Sequence, residues 1–189
     1  ALVTGGLVLA AGYAALGGMI DLRERAAAHA APAERAAAVR RSLAHWLAGA
    51  RIHPDDETVP AFFGLDRQRA GVPDDELHFL TTSAAPFCAG TAHVRLFIDR
   101  DDETPERGLV AEIAAWGSPG ARRIEIAPAA MGLDASYFFD TGRGRRWLPA
   151  WISSVQLPLA VELRIVAGPQ GDLRVLLRLP ILVPIGGAQ

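Results

Sequence analysis

The feature that most constrains this chain lies at its start: residues 1 to 20, ALVTGGLVLAAGYAALGGMI, carry no charge, and the first ionisable side chain after them is Asp21. A run of about 20 uncharged, mostly apolar residues has the length of a membrane-spanning helix. No basic segment precedes it and no small-residue cleavage site followed by a polar start ends it, so it does not read as a signal peptide. Gly5, Gly6, Gly12, Gly17 and Gly18 weaken a helix in water, yet small residues let helices approach closely in lipid. The reading is a membrane-inserted helix whose apolar positions are Leu2, Val3, Leu7, Val8, Leu9, Tyr13, Leu16 and Ile20. A buried core helix is the alternative. The abrupt apolar beginning gives the expectation that the natural N-terminus lies upstream.

Beyond Asp21 the chain turns polar, with Arg23, Glu24 and Arg25 in quick succession, and Pro32 is expected to kink or restart the helix. From Glu34 to Ala50 the pattern is amphipathic. Val39, Leu43, Trp46, Leu47 and Ala50 recur at spacings of three and four, and Gly49 and Pro54 mark the end.

Strand patterns follow: Leu77 to Thr82, Ala92 to Asp99, Leu109 to Ala115, a segment around Ile124 and Ile126, and Ser136 to Phe139. Two long alternating stretches close the chain. Leu157, Leu159, Val161, Leu163 and Ile165 share one face of the first, and Leu173, Val175, Leu177, Leu179 and Ile181 one face of the second. The turn-forming GPQGD between them (residues 168 to 172) predicts an antiparallel hairpin. The expected fold class is therefore α+β: a long N-terminal helix, kinked near Pro32, packed on an antiparallel β-sheet domain. Its expected division is 1–31 for the apolar helix and 32–189 for the globular domain.

Composition narrows the chemistry. Half of the 189 residues are hydrophobic and 21% are charged, which excludes disorder as the main state. The formal net charge of −2 provides no basic footprint for nucleic acid. All 19 basic residues are arginine, which reads as compositional bias. Cys88 alone cannot form an internal disulfide or a zinc cluster, and a buried structural thiol is its expected role. The five histidines, at 29, 45, 53, 78 and 93, show no paired ligand spacing and are expected on surfaces or helix faces. Gly117 to Gly120 lacks the pattern of a nucleophile elbow and reads as a turn. Gly142 to Gly144 lacks the third glycine of a dinucleotide loop.

Three acidic clusters have the hard oxygens that calcium takes: Asp55 to Glu57, Asp74 to Glu76, and Asp99 with Asp101, Asp102 and Glu103. The last lacks the glycine and distant glutamate of an EF-hand loop, and solvated loop carboxylates are the expectation for all three. Trp147 and Trp151 read as core anchors of the last sheet, with an exposed partner surface as the alternative. Leu43, Trp46 and Leu47 read as core. No catalytic, metal or cofactor site emerges.

The order of elements, and several segments, resemble the J-type minor pseudopilins of type II secretion systems, within the wider pilin and pseudopilin superfamily. Residues 60–64 (PAFFG) followed by 77–82 (LHFLTT) are similar to the stretch after that family's helix. Residues 94–99 (VRLFID) with 108–113 (GLVAEI) are similar to its central hairpin. Tyr137 to Asp140 (YFFD), Trp147, Trp151 and 157–165 (LPLAVELRI) resemble its C-terminal end. The prepilin-peptidase motif and the acidic fifth residue of the mature helix are absent from the sequence, and the chain is read as starting inside that helix. The resemblance implies a structural, non-enzymatic subunit without cofactors, anchored in the bacterial inner membrane by one N-terminal helix, with its globular domain in the periplasm. It implies assembly with I-type and K-type minor pseudopilins and the major pseudopilin at the tip of a pseudopilus. A minor pilin of a type IV pilus, and an anchored periplasmic enzyme or ligand-binding domain built on a β-sandwich, are the other readings.

Overall fold

A computed structural model describes residues 33–52, 62–140, 144–154, 156–167 and 175–180. The apolar residues Leu2 to Ile20 and the acidic cluster 55–57 lie outside the described residues, as does the turn at 168–172. The chain divides into two units, Ala1–Ala38 and Val39–Gln189. The first is described only where it is helical, at residues 33–38.

The described residues are mostly antiparallel strand, with a single short helix, α1, at 33–48. This corrects the expectation of a fold built on a long, kinked N-terminal helix. The physical reason can be read at the end of α1. Gly49 N–H turns back to the carbonyl of Trp46 at 3.2 Å, and the next two residues, Ala50–Arg51, are already strand β1. The helix thus ends at Gly49, where the sequence predicts, and the paired strands that follow dominate the described fold. Pro32, which an interior helical position would deprive of a hydrogen bond, stands immediately before the described helix. Leu43, Trp46 and Leu47 are buried, as their spacing predicts. The Thr81 hydroxyl donates to the Trp46 carbonyl at 2.7 Å and Thr82 N–H to the Gly49 carbonyl at 3.0 Å, tying the helix end to the sheet.

The larger sheet has seven strands. The path runs β11 (Trp151–Ser153), β2 (Phe62–Leu65), β5 (Glu76–Thr81), β6 (Ala92–Asp99), β7 (Gly108–Ala115) and β8 (Ala121–Ala127), all antiparallel, with β1 also paired to β5. The second sheet orders β10 (Arg145–Leu148), β9 (Ala130–Asp140), β12 (Ala160–Ala167) and β13 (Val175–Pro180). A small hairpin, β3 (Gln68–Arg69) and β4 (Val72–Pro73), pairs within itself. The expected strands at 77–82, 92–99 and 109–115 correspond to β5, β6 and β7. The expected closing hairpin is β12 and β13, with Leu163 opposite Leu177.

Alternation decides what is buried. Leu77 and Phe79 of β5, Val94 and Leu96 of β6, and Leu109, Ala111 and Ile113 of β7 point to one face and are buried there. Leu133, Ala135 and Tyr137 of β9, with Val161, Leu163 and Ile165 of β12, form the buried face of the smaller sheet. Leu159, expected on the same face as Val161, stands before the strand and is 40% exposed.

The hairpin of β3 and β4 approaches β9 of the smaller sheet closely where Gly132 sits. A Cβ there would lie 2.7 Å from the Pro73 carbonyl oxygen, so only glycine permits the contact. The connection from β6 to β7 is built by side chains. Asp99 accepts from Asp101 N–H at 2.9 Å and the Thr104 hydroxyl at 3.1 Å, and the Arg107 guanidinium donates to carbonyls of the same loop.

Candidate functional site

Three constellations bear on function. The first is a row of side chains across the face of the larger sheet opposite its core. Register places Ile152, Phe63, His78, Arg95, Glu112 and Arg123 on successive strands from β11 to β8. Directly opposed residues in antiparallel pairs are close enough to interact, so this row is a continuous strip. Phe63 stacks on the His78 ring at 4.0 Å between centroids, 16° from parallel. Glu76, one step along β5 on the same face, collects one imidazole and two guanidinium groups: His78 Nε2 at 2.6 Å, Arg95 Nε at 2.5 Å and Arg67 Nη1 at 2.6 Å. Arg95 continues to Glu112 at 3.7 Å, Glu112 meets Arg123 at 3.4 Å, and Arg123 reaches Asp99 at 3.1 Å. The Phe97 ring lies under both Arg95 and Arg123, 4.4 and 5.6 Å from the guanidinium carbons.

Electrostatics follow from that geometry. Burial alone raises the Glu76 carboxyl, but hydrogen bonds from Arg95 and His78 outweigh it and hold the group below its ordinary range. Asp99 is likewise held low by Asp101 N–H, the Thr104 hydroxyl and Arg123 against the effect of burial. His78 is pushed down by burial despite its Glu76 partner. His93, whose ring centroid lies 5.5 Å from that of His78, is pushed down by burial as well. The pairing of two histidines is invisible in their separation of fifteen residues along the chain. It appears only once β5 and β6 are set in register, with Leu80 opposite His93. Among the described residues no hydroxyl or thiol bonds either histidine, and no group of three His, Cys, Asp or Glu could hold a metal ion.

The second constellation is a buried aromatic corner. Trp151 on β11 pairs with Gly64 on β2, and the Tyr137 hydroxyl fills the space beside that glycine: a Cβ on Gly64 would lie 1.6 Å from Oη. The Tyr137 ring stands edge-on to Phe62 at 6.0 Å and tilted to Trp151 at 6.5 Å. Its hydroxyl is wholly buried without a hydrogen-bond partner among the described residues, and burial, with the charge of Asp75, drives the phenol far above its usual pKa. Asp75 itself is 3% exposed and accepts from the backbone of Arg67 at 2.8 Å and of Ala135 at 2.7 Å. Burial raises the Asp75 carboxyl despite those two donors.

The third is the outer face of the smaller sheet. Trp147 of β10 lies opposite Phe138 of β9, rings 5.1 Å apart, and is 44% exposed. Beside them is a shallow depression of about 320 Å³ lined by Asp134, Ser136, Glu162 and Arg164, in which Arg164 bonds Asp134 at 2.6 Å.

The sequence-based expectations divide against this geometry. Trp151, 7% exposed, is a core anchor as expected, whereas Trp147 is 44% exposed, which corrects its reading as one. Asp101 and Asp102 are exposed, but Asp75, Glu76 and Asp99 are buried and fully engaged, which corrects their reading as solvated loop carboxylates. Their partners come from segments distant in sequence. Cys88 lies half-buried in the loop after β5, not in the core. Among the described residues no helix is long and apolar enough to cross a membrane, and the segment expected to do so lies outside them. No protein-family model matches this chain, and neither does any curated protein.

Proposed function

We propose that this chain is a J-type minor pseudopilin of a type II secretion system, a structural subunit of the pseudopilus tip that primes filament assembly for protein export. It acts without a catalytic centre, held at the inner membrane by the apolar residues 1 to 20, with its sheets in the periplasm. There it assembles with I-type and K-type minor pseudopilins and the major pseudopilin.

The observation that carries the reading is the aromatic corner. Residues 60–64 and the Tyr137-to-Trp151 segment, which bear much of the resemblance to that family, are more than seventy residues apart in sequence. Yet Phe62, Gly64, Tyr137 and Trp151 pack as one unit and join β11 to the larger sheet. The resemblance thus falls on residues that decide how the sheets meet, where sequence is tied to architecture. The charged strip adds support of a weaker kind: its groups neutralise one another, which suits a face that supports a scaffold.

The test is co-purification of the full chain, in detergent, with I-type and K-type minor pseudopilins encoded beside it. A stable complex near one-to-one-to-one is the expected result. Absence of association with either at tens of micromolar rejects the reading and leaves an anchored periplasmic binding domain as its replacement.

A further inference from the structure

The larger sheet ends at β8, and among the described residues β8 pairs only with β7. Its seven residues, ARRIEIA, therefore present one side of their backbone unpaired, and Ala121, Arg122, Arg123 and Glu125 are exposed. A free edge of this length is a template for another strand, and proteins ordinarily blunt such edges with charge. Here the charges discriminate between partners.

We propose that β8 is an edge-to-edge contact between two copies of this chain, formed about a two-fold axis at Ile124. In a two-fold antiparallel pair, opposed residues must lie on the same face, so only registers centred on a residue are open. Centring on Arg122 or Arg123 sets arginine against arginine, and centring on Glu125 sets glutamate against glutamate. Centring on Ile124 places Arg123 of each copy opposite Glu125 of the other, twice by symmetry. Ile124 then meets Ile124, and past Glu125 the register of β8 shifts at Ile126, so the regular pairing ends there. Unlike charges directly opposed on a sheet stabilise and like charges destabilise, so one register is selected over its neighbours. The arrangement holds whether the Ile124 pair is the hydrogen-bonded or the non-hydrogen-bonded kind, because both carry a two-fold axis.

Of the two charges, Glu125 is the less engaged within the chain, and Arg123 meets it as an extension of the strip it already belongs to. Glu125 accepts from Arg107 N–H at 3.1 Å through one oxygen and, among the described residues, has no cationic side chain bonded to it. Arg123 reaches inward along its own sheet to Glu112 and Asp99 while remaining exposed. A seven-residue strand pair covers less surface than stable complexes do, so the dimer is weak and forms at high concentration or where copies are confined together. The inference rests on the register of β8 alone and not on the assembly reading above.

The experiment compares the full chain, in detergent, at low and high concentration by amide hydrogen exchange and sedimentation equilibrium. Exchange is read at residues 121–127, which separates this contact from association elsewhere in the chain. The expected result is slower exchange across β8 at high concentration, abolished in E125R and in R123E. An equimolar mixture of those two variants should recover it, because each charge then meets its opposite. Should R123E lose its native circular dichroism through Asp99 and Glu112, E125R alone against the unaltered chain decides. Association of E125R as strong as that of the unaltered chain overturns the proposal. So does β8 exchange that is independent of concentration, including exchange slowed only when another protein is added.

Discussion

The buried aromatic corner and the charged strip lie on opposite faces of the same sheet, and they hold it by opposite means. In the corner, Phe62, Gly64, Tyr137 and Trp151 fit by shape, to the point of leaving the Tyr137 hydroxyl buried without a partner among the described residues. In the strip, Glu76, Arg95, Glu112 and Arg123 fit by charge, and each carboxylate has more than one cation within reach. An unpaired buried hydroxyl is costly, and a structure tolerates one where the surrounding ring is worth more than the group at its tip. A carboxylate with several donors, in contrast, tolerates imprecise packing but not the loss of the carboxylate. The two regions should therefore fail differently when altered.

The largest effect is expected in the corner. Gly64→Ala would place a methyl group 1.6 Å from Tyr137 Oη and 2.2 Å from Cζ, so the ring must move. Overpacking a core typically costs 1–3 kcal/mol, and this ring has no free side to move toward; a loss of about 3 kcal/mol is expected from urea unfolding. Tyr137→Phe, which removes the unpaired hydroxyl, should leave stability unchanged or raise it. It should also recover part of the Gly64→Ala loss when the two are combined. Independent, additive effects would show that the corner is not held by this contact.

Such a cluster was only partly legible in sequence. Strands β6 and β12 announce themselves by alternation of apolar residues, and β5 and β7 by short apolar runs. β9 runs eleven residues, yet only its end reads as a strand. Gly132, Ala135 and Ser136 dilute its pattern, and they are small where the chain approaches other elements: Gly132 lies against the Pro73 carbonyl. β2 is four residues long, too short for any period to assert itself, and Gly64 within it looks like a turn residue until Tyr137 is placed beside it. The helix was over-read at its start. Its end at Gly49 was legible, whereas the long-helix expectation rested on residues before 33, which lie outside the described ones. The acidic clusters were hidden by distance along the chain, because Asp75 is buried by a donor on Ala135, sixty residues away.

The strip gives the second prediction. Glu76→Ala leaves Arg95 and His78 facing each other without their shared anion. Because Arg95 and Arg67 keep about a third and a half of their side-chain surface in water, the loss is expected near 1–2 kcal/mol. The same region sets the acid response. His78 and His93 have folded-state pKa values below the ordinary 6.5, so the unfolded chain takes up protons first. Stability should fall as pH drops below about 6.5 and until the folded-state values are passed. Glu76 and Asp99, held low in the fold, contribute stability at neutral pH that is lost as acid protonates them, beginning near their ordinary values of 4.5 and 3.8. Asp75, raised by burial, works against that second decline. Unfolding midpoints across pH 3 to 8 should accordingly descend in two stages. Replacing His93, which bonds neither Glu76 nor Asp99, with Gln should shrink the first while sparing the second, and a single decline confined below pH 5 would show that the histidines do not couple to folding.

The smallest effect is expected just outside the corner, at Trp147. It is four residues from Trp151 and of the same type, yet it is 44% exposed and rests on Phe138 at the surface of the smaller sheet. Trp151→Ala would empty a packed site, whereas Trp147→Ala removes a ring already half in water, for an expected cost below about 1 kcal/mol. The comparison then sharpens, since an aromatic side chain contributes here in proportion to the neighbours that enclose it. A cost for Trp147→Ala equal to that of Trp151→Ala, measured by urea unfolding, would mean that the shape-fitted region extends through β10. The division between a surface set by charge and a core set by shape would then have to be drawn on the far side of that strand.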